Sequence, residues 1–157
     1  LPNSQLDRFL IRVSMGSPDF ESQISILRDR HRKNPLNRVS PVIDREQLRQ
    51  LIEEAARVEV RDAIYEYVTS LTQASREHPM VQLGVSPRGA LAVCRMAKAY
   101  AFLKGRDFVI PEDVAAVFPD VCCHRLVLTT KARMMEERPE TVIAAILESV
   151  KMPVIRQ

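Results

Sequence analysis

Cysteine is scarce: Cys94, Cys122 and Cys123 are the only three, an odd number without C-x-x-C spacing. That excludes a disulfide framework, and apolar neighbours fit buried thiols in a reducing compartment. Cys122, Cys123 and His124 are consecutive, and adjacent residues do not readily chelate one ion. With no second Cys/His pair, no metal site is expected, and the three read as core. No apolar run approaches the roughly 20 residues of a membrane helix, and no charged-then-apolar signal segment opens the chain. A cytoplasmic protein without a membrane span is therefore expected. Charge of one sign is lacking too: 23 Lys and Arg stand against 20 Asp and Glu, spread along the chain, which removes the usual footprint of nucleic-acid or membrane binding. Gly/Ser-rich linkers, low-complexity tracts and internal repeats are absent.

What is present is a globular mixture of 157 residues, 46% hydrophobic and 27% charged, sufficient for one ordinary domain with a core. The chain opens Leu1-Pro2-Asn3 and runs into Phe9-Leu10-Ile11-Arg12-Val13, a short β-like stretch without a second convincing strand to pair with. The expectation is a piece of something larger, with residues 9–13 poorly anchored because their lateral partners lie elsewhere.

Helical signals then dominate. Gly16-Ser17-Pro18 reads as a turn, an N-cap and a first-position proline, with Asp19 and Glu21 in the first turn and Arg28, Arg30, Arg32 and Lys33 toward the end. Phe20, Ile24, Leu27 and His31 share its face, and Asn34-Pro35 closes it. Asp44 with Gln47 forms a capping-box pattern ahead of a stripe of Leu48, Leu51, Ile52 and Ala55. After a connector at 58–60, Ile64, Tyr67, Val68, Leu71 and Ala74 repeat at helical spacing until Pro79 forbids continuation. Ser86-Pro87 begins the next helix, with Leu91, Cys94, Ala97 and Ala101 as its expected buried side as far as Lys104-Gly105. Ile110-Pro111-Glu112-Asp113 opens another, expected to kink or restart at Pro119. Pro139-Glu140 opens a last one carrying Val142, Ile143, Ile146, Leu147 and Val150. The fold class these predict is an all-α helical bundle preceded by one short orphan strand.

Within "GVSPRGAL", residues 84–91, Arg88 lies in the first helical turn. Backbone N–H groups there lack intrahelical partners and carry the positive end of the dipole, so an arginine adds to a field that already favours an anion. Gly89 would let a bulky ligand approach, and Arg95 and Lys98 follow on roughly the same side. The other reading is an exposed arginine paired with a carboxylate such as Glu112. The motif alone leaves both open.

Four separated stretches in register, "LPNSQLDRF" at 1–9, "REHPMVQLGVSPRGAL" at 76–91, "GRDFVIPEDV" at 105–114 and "HRLVL" at 124–128, resemble the C-terminal part of the MoxR family of AAA+ ATPases, across nearly the whole chain. The resemblance implies a division at residue 17. Residues 1–17 would be the last strand and turn of an α/β nucleotide-binding core, and 18–157 the helical lid subdomain. It implies that Arg88, flanked by Pro87 and Gly89, is the sensor-2 arginine reaching the terminal phosphates of ATP. Arg8 would be the arginine finger, entering the site of a neighbouring subunit in a homo-oligomeric ring. The alternative for Arg8 is an ordinary salt bridge, for instance with Asp7. Asn3-Ser4 departs from the acid-then-small pair frequent in the family.

The chain has neither a G-x-x-x-x-G-K-[ST] loop nor an apolar strand ending in Asp-Glu, so ATP and Mg2+ would be held mainly by the parent's core. The fragment alone is expected not to hydrolyse ATP. Its expected partners are its own core, neighbouring subunits and unidentified clients of chaperone-like remodelling, with no nucleic acid. Two other classes compete: a helical protein-interaction module, and a basic nucleic-acid binder. Against the second, each helix devotes a broad stripe to a core and none shows clustered base-reading residues.

Overall fold

The computed structural model describes residues 2–30 and 35–154. In chain order the helices are α1 (Asn3–Leu6), α2 (Phe20–Arg30), α3 (Arg45–Arg57), α4 (Asp62–Glu77), α5 (Pro87–Leu103), α6 (Pro111–Cys122), α7 (Thr130–Met134) and α8 (Pro139–Ser149). The strands are β1 (Val81–Leu83) and β2 (Val127–Leu128). The chain is thus all-α, with one small antiparallel ribbon among the described residues. Contacts divide it into two units: Leu1–Arg12 with Ile52–Gln157, and Val13–Leu51.

The first unit owns the core. Helix α4 buries Ile64, Tyr67, Val68 and Leu71, and α6 buries Val114, Val117, Phe118 and Val121. Helix α8 adds Val142, Ile143 and Ile146, at the spacing read from the sequence. On α5 the buried residues are Gly89, Ala92, Val93, Ala97 and Ala101; Leu91, expected inside, is 62% exposed. Apolar residues surround much of α5, so its periodicity admits more than one inward face. Packing against α6 selects the side with the smaller residues, which lets two helices approach closely. Helix α6 neither stops nor restarts at Pro119 but runs on to Cys122. The missing proline N–H is offset by burial of Val121 and Cys122 in the following turn.

Two local devices fix the entry to α6. Arg106 Nη1 and Nη2 donate to Asp113 Oδ2 and Oδ1 at 2.7 and 2.5 Å. Asp113 Oδ2 also accepts from the Ile110 backbone N–H at 2.9 Å. The buried carboxylate thus has both its charge and its lone pairs satisfied. Glu59 bridges Phe108 in parallel, with Glu59 N–H on Asp107 O at 2.8 Å and Val109 N–H on Glu59 O at 3.0 Å. The expected connector at 58–60 is therefore pinned to the loop before α6. Strand β1 sets Val81 opposite Leu128 and Leu83 opposite Val127.

Residues 9–13 form no strand, and Phe9, Leu10 and Arg12 are each tied down by hydrogen bonds. Arg12 N–H donates to Asp120 O at 2.9 Å, and Arg12 Nη2 reaches Glu140 Oε1 at 2.6 Å. His124 and Arg125 engage the carbonyls of Phe9 and Leu10. A β-like composition thus binds through side chains that reach its carbonyls, where a ladder was expected to be missing.

In the second unit α2 begins at Phe20, and its cap is Asp19, whose Oδ1 accepts from Ser22 N–H at 2.8 Å. Ser17 was the expected cap; the helix starts two residues later, where a carboxylate caps the Ser22 N–H and also favours the dipole. The Asp44–Gln47 capping box is formed in both directions, at 2.8 and 2.7 Å. No described residue of 13–51 is buried: Phe20 and Leu27 are exposed and Ile24 half-buried. His31 and Asn34 lie outside the described residues.

Candidate functional site

Helix α5 starts as its sequence requires. Ser86 has extended backbone angles and its Oγ accepts from Gly89 N–H at 3.1 Å, Ala90 N–H bonds to Ser86 O at 3.0 Å, and Pro87 has no N–H to place. The loop before it is tied to α4. Ser75 Oγ accepts from Val85 N–H at 2.9 Å, and Arg76 Nε donates to Val85 O at 2.9 Å. Gly84 lies so close to the Arg76 backbone that a Cβ would fall 2.7 Å from its nitrogen.

Arg88 therefore stands on a fixed turn. Its side chain is exposed, and among the described residues it has no ion-pair or hydrogen-bond partner, Glu112 included. Its backbone N–H is likewise the first-turn donor left without an acceptor. Of the cations further along α5, Arg95 is exposed. Lys98 is committed, its Nζ donating to Ala56 O at 2.6 Å in the last turn of α3. Gly89 does not open space for a ligand: it is buried, and a Cβ there would stand 2.6 Å from Val85 Cγ1 and 3.0 Å from Arg125 Cδ.

Arg8 is exposed as well and has no ion pair among the described residues. Asp7, its sequence neighbour and its partner in the alternative reading, is paired with another arginine. Arg125 Nε donates to Asp7 Oδ1 at 3.1 Å, and the side chain of Arg125 is only 2% exposed. Its Nη2 donates to Phe9 O at 2.7 Å and Asp7 O at 3.3 Å. Its Nη1 reaches Leu10 O at 3.2 Å, Val121 O and His124 Nε2. The Asp7 carboxylate also accepts from Ser86 Oγ, at 3.1 and 3.2 Å. One carboxylate thus joins the residue before Arg8 to the cap two residues before Arg88.

His124 sits beside this cluster. Burial pushes its pKa down, Arg125 and Arg12 add to that, and the carbonyl of Phe9, 3.0 Å from Nε2, opposes it; its Nδ1 is buried without a partner. Burial raises Cys123 to about 11 and Cys122 further still, as inert core thiols require. Among the described residues no three His, Cys, Asp or Glu are grouped to hold a metal, and no helix is long and apolar enough to cross a membrane.

The spacing of Ser86, Pro87 and Arg88 is enough to place them. Asp7 and Arg125 were not identified as partners, although they lie inside the quoted stretches "LPNSQLDRF" and "HRLVL"; they are 118 positions apart, and nothing local pairs them.

Comparison with known proteins defines the class. Residues 73–146 match the AAA lid domain family, the span from the end of α4 through most of α8. Over 98% of this chain and 49% of its own, the crystal structure of a candidate ATPase from Cytophaga hutchinsonii superposes with a TM-score of 0.87 at 27% identity. The helical bundle is an AAA lid.

Among curated proteins, YeaC of Bacillus subtilis is 40% identical over 99% of this chain and 49% of its own length. Chaperone MoxR1 of Mycobacterium tuberculosis is 36% identical over 98% and 42%, and protein MoxR of Methylorubrum extorquens 32% over 98% and 50%. The chain carries an AAA lid domain, is similar along nearly its whole length to proteins named MoxR, and spans about half the length of the curated relatives it matches.

Proposed function

We propose that this chain is the nucleotide-sensing half of a ring-forming ATPase. Residues 1–17 would end an α/β core that carries the phosphate loop, and 18–157 would form the lid above it. Arg88 touches the terminal phosphates of ATP bound to its own subunit. Arg8 enters the site of the neighbouring subunit and offsets charge that develops on the transferred phosphate. Magnesium accompanying ATP would be held by the core. Lid movement driven by ATP turnover then remodels a client protein in the cytoplasm; the name of the mycobacterial relative, chaperone MoxR1, supports that use.

The observation that carries this reading is the state of Arg88. A guanidinium and a backbone N–H are presented together at the start of a firmly capped helix, and both lack partners among the described residues. Those donors fit an anion arriving from outside the lid. In the full-length protein, Arg88→Ala should lower kcat for ATP by roughly one to two decades, the equivalent of a charge-assisted contact of about 1.5–3 kcal/mol made in the transition state. Steady-state phosphate release measures it, and unchanged turnover would refute the sensing role.

A further inference from the structure

We infer that Arg125 is a positioning residue that couples Arg88 to Arg8, with Asp7 and Ser86 as the link. The inference rests on the ATPase reading above, and adds to it a physical connection between the subunit's own site and its neighbour's.

Geometry carries the inference. The Arg125 guanidinium is buried to 2% exposure and directs its donors at the Asp7 carboxylate and at the carbonyls of Asp7, Phe9 and Leu10. Residues 7–10 are thereby clamped to the turn after α6, leaving Arg8 to project from a fixed segment. The carboxylate that Arg125 holds is the same one that accepts the Ser86 hydroxyl. That hydroxyl is already the cap of α5, accepting from Gly89 N–H. Arg125 also lies directly against the first turn of α5, where its Cδ would be 3.0 Å from any Cβ at position 89. A side chain at position 89 would press on both Val85 and Arg125.

A shift of the first turn of α5 therefore moves Ser86, Asp7 and the segment bearing Arg8 together. An anion that draws in Arg88 in one subunit resets the arginine offered to the next. A small displacement suffices, because a misplacement of about 1 Å can cost on the order of a hundredfold in rate.

Ser86→Asp separates coupling from folding. An aspartate caps a helix as well as serine does but offers no hydroxyl, so it opposes the Asp7 carboxylate while keeping α5 intact. In the full-length protein, ATP turnover by Ser86→Asp should fall roughly ten- to a hundredfold in kcat, with a much smaller change in KM. Mixing it with a subunit mutated in the phosphate loop should restore activity, because the lesion lies in the arginine given to the neighbour and the phosphate-loop mutant supplies a sound one. The double variant Asp7→Asn with Ser86→Asp should also recover turnover, since the amide placed at position 7 can donate to the carboxylate placed at position 86. Arg125→Lys, which retains charge but not the fork of donors, should give a kcat between those of wild type and Ser86→Asp.

Wild-type kcat in Ser86→Asp, while Arg8→Ala is slow, overturns the coupling and leaves the ATPase reading standing. So does a loss in Ser86→Asp that neither mixing nor Asp7→Asn repairs. Unchanged turnover in both Arg8→Ala and Arg88→Ala removes the finger and sensing roles and this inference together, whereas absence of any ATP turnover in the full-length wild type removes the ATPase reading itself.

Discussion

Both units of the chain contain helices with an apolar stripe, and they differ in what those stripes bury. Within residues 52–154, α4, α6 and α8 send their apolar stripes into a shared core in which Ile64, Leu71, Val114, Phe118, Val121 and Ile143 have no exposure. Within 13–51 the stripe of α2 leaves Phe20 76% and Leu27 60% exposed, and Leu48 of α3 stands at 48%. Periodicity therefore reports which face of a helix is apolar, and not whether anything covers it. Coverage comes from long-range partners: α4, α5, α6 and α8 have one another, and the short second unit has too few.

The largest test of that contrast is a pair of Phe truncations. Phe118→Ala should destabilise the chain by about 3–5 kcal/mol, the cost of emptying a fully packed aromatic site. Phe20→Ala should change stability by less than about 0.5 kcal/mol, as exposed positions do. Chemical unfolding followed by circular dichroism measures both. A comparable loss in the two variants would show that 13–51 shares the core's cooperativity.

What the sequence made legible divides along the same line. The capping box of Asp44 and Gln47 and the Ser86-Pro87 start of α5 depend on neighbours three residues away, and both form as spaced. Asp19 displaced Ser17 as a cap because two acceptors compete within one turn, which composition does not rank. The β1–β2 ribbon was missed. Strands of three and two residues carry almost no periodic signal, and their register is set by partners some 45 positions apart. The site shows the same split. Arg88 could be placed by its cap, whereas the partners of Asp7 could not, and the Asp7 salt bridge that was the alternative reading of Arg8 is made with Arg125 instead. Gly89 was assigned to ligand access from local chemistry alone, and its role emerged only with Arg125 packed against it.

The next effect is smaller and acts within the first unit. His124 is held with its pKa below the ordinary 6.5, by burial foremost, then by the Arg125 and Arg12 charges, against the opposing carbonyls of Phe9 and Asp120. The unfolded chain therefore takes up a proton that the folded chain resists. This contribution is complete above about pH 6.5 and is lost as pH falls from there through the lower folded value. Cys123 acts on the other limb: its folded pKa of about 11 exceeds the ordinary 9.0, so its contribution is complete below pH 9.0 and is lost as pH rises toward 11. Melting temperature should decline on both sides of that window, and His124→Gln should flatten the acid side alone. An acid limb that survives the substitution unchanged would place the proton uptake elsewhere.

The smallest expected change in stability belongs to the residues given the largest functional role. Arg8 and Arg88 are exposed, unpaired among the described residues and outside the core, so nothing in the folded lid is lost when either side chain is removed. Arg88→Ala and Arg8→Ala should each alter the unfolding free energy by no more than about 0.5 kcal/mol; Arg88→Ala should nevertheless slow turnover of the full-length protein by decades. That separation is the opposite of the Phe118 case, where stability falls because packing does. Its physical basis is that a charge left without a partner in the lid contributes to free energy only when an anion arrives. Differential scanning calorimetry on the two arginine variants, beside their ATP turnover, reads both quantities. A drop of several degrees in melting temperature for Arg88→Ala would mean that the guanidinium already has a structural partner, and would move it from the sensing site into the framework of α5.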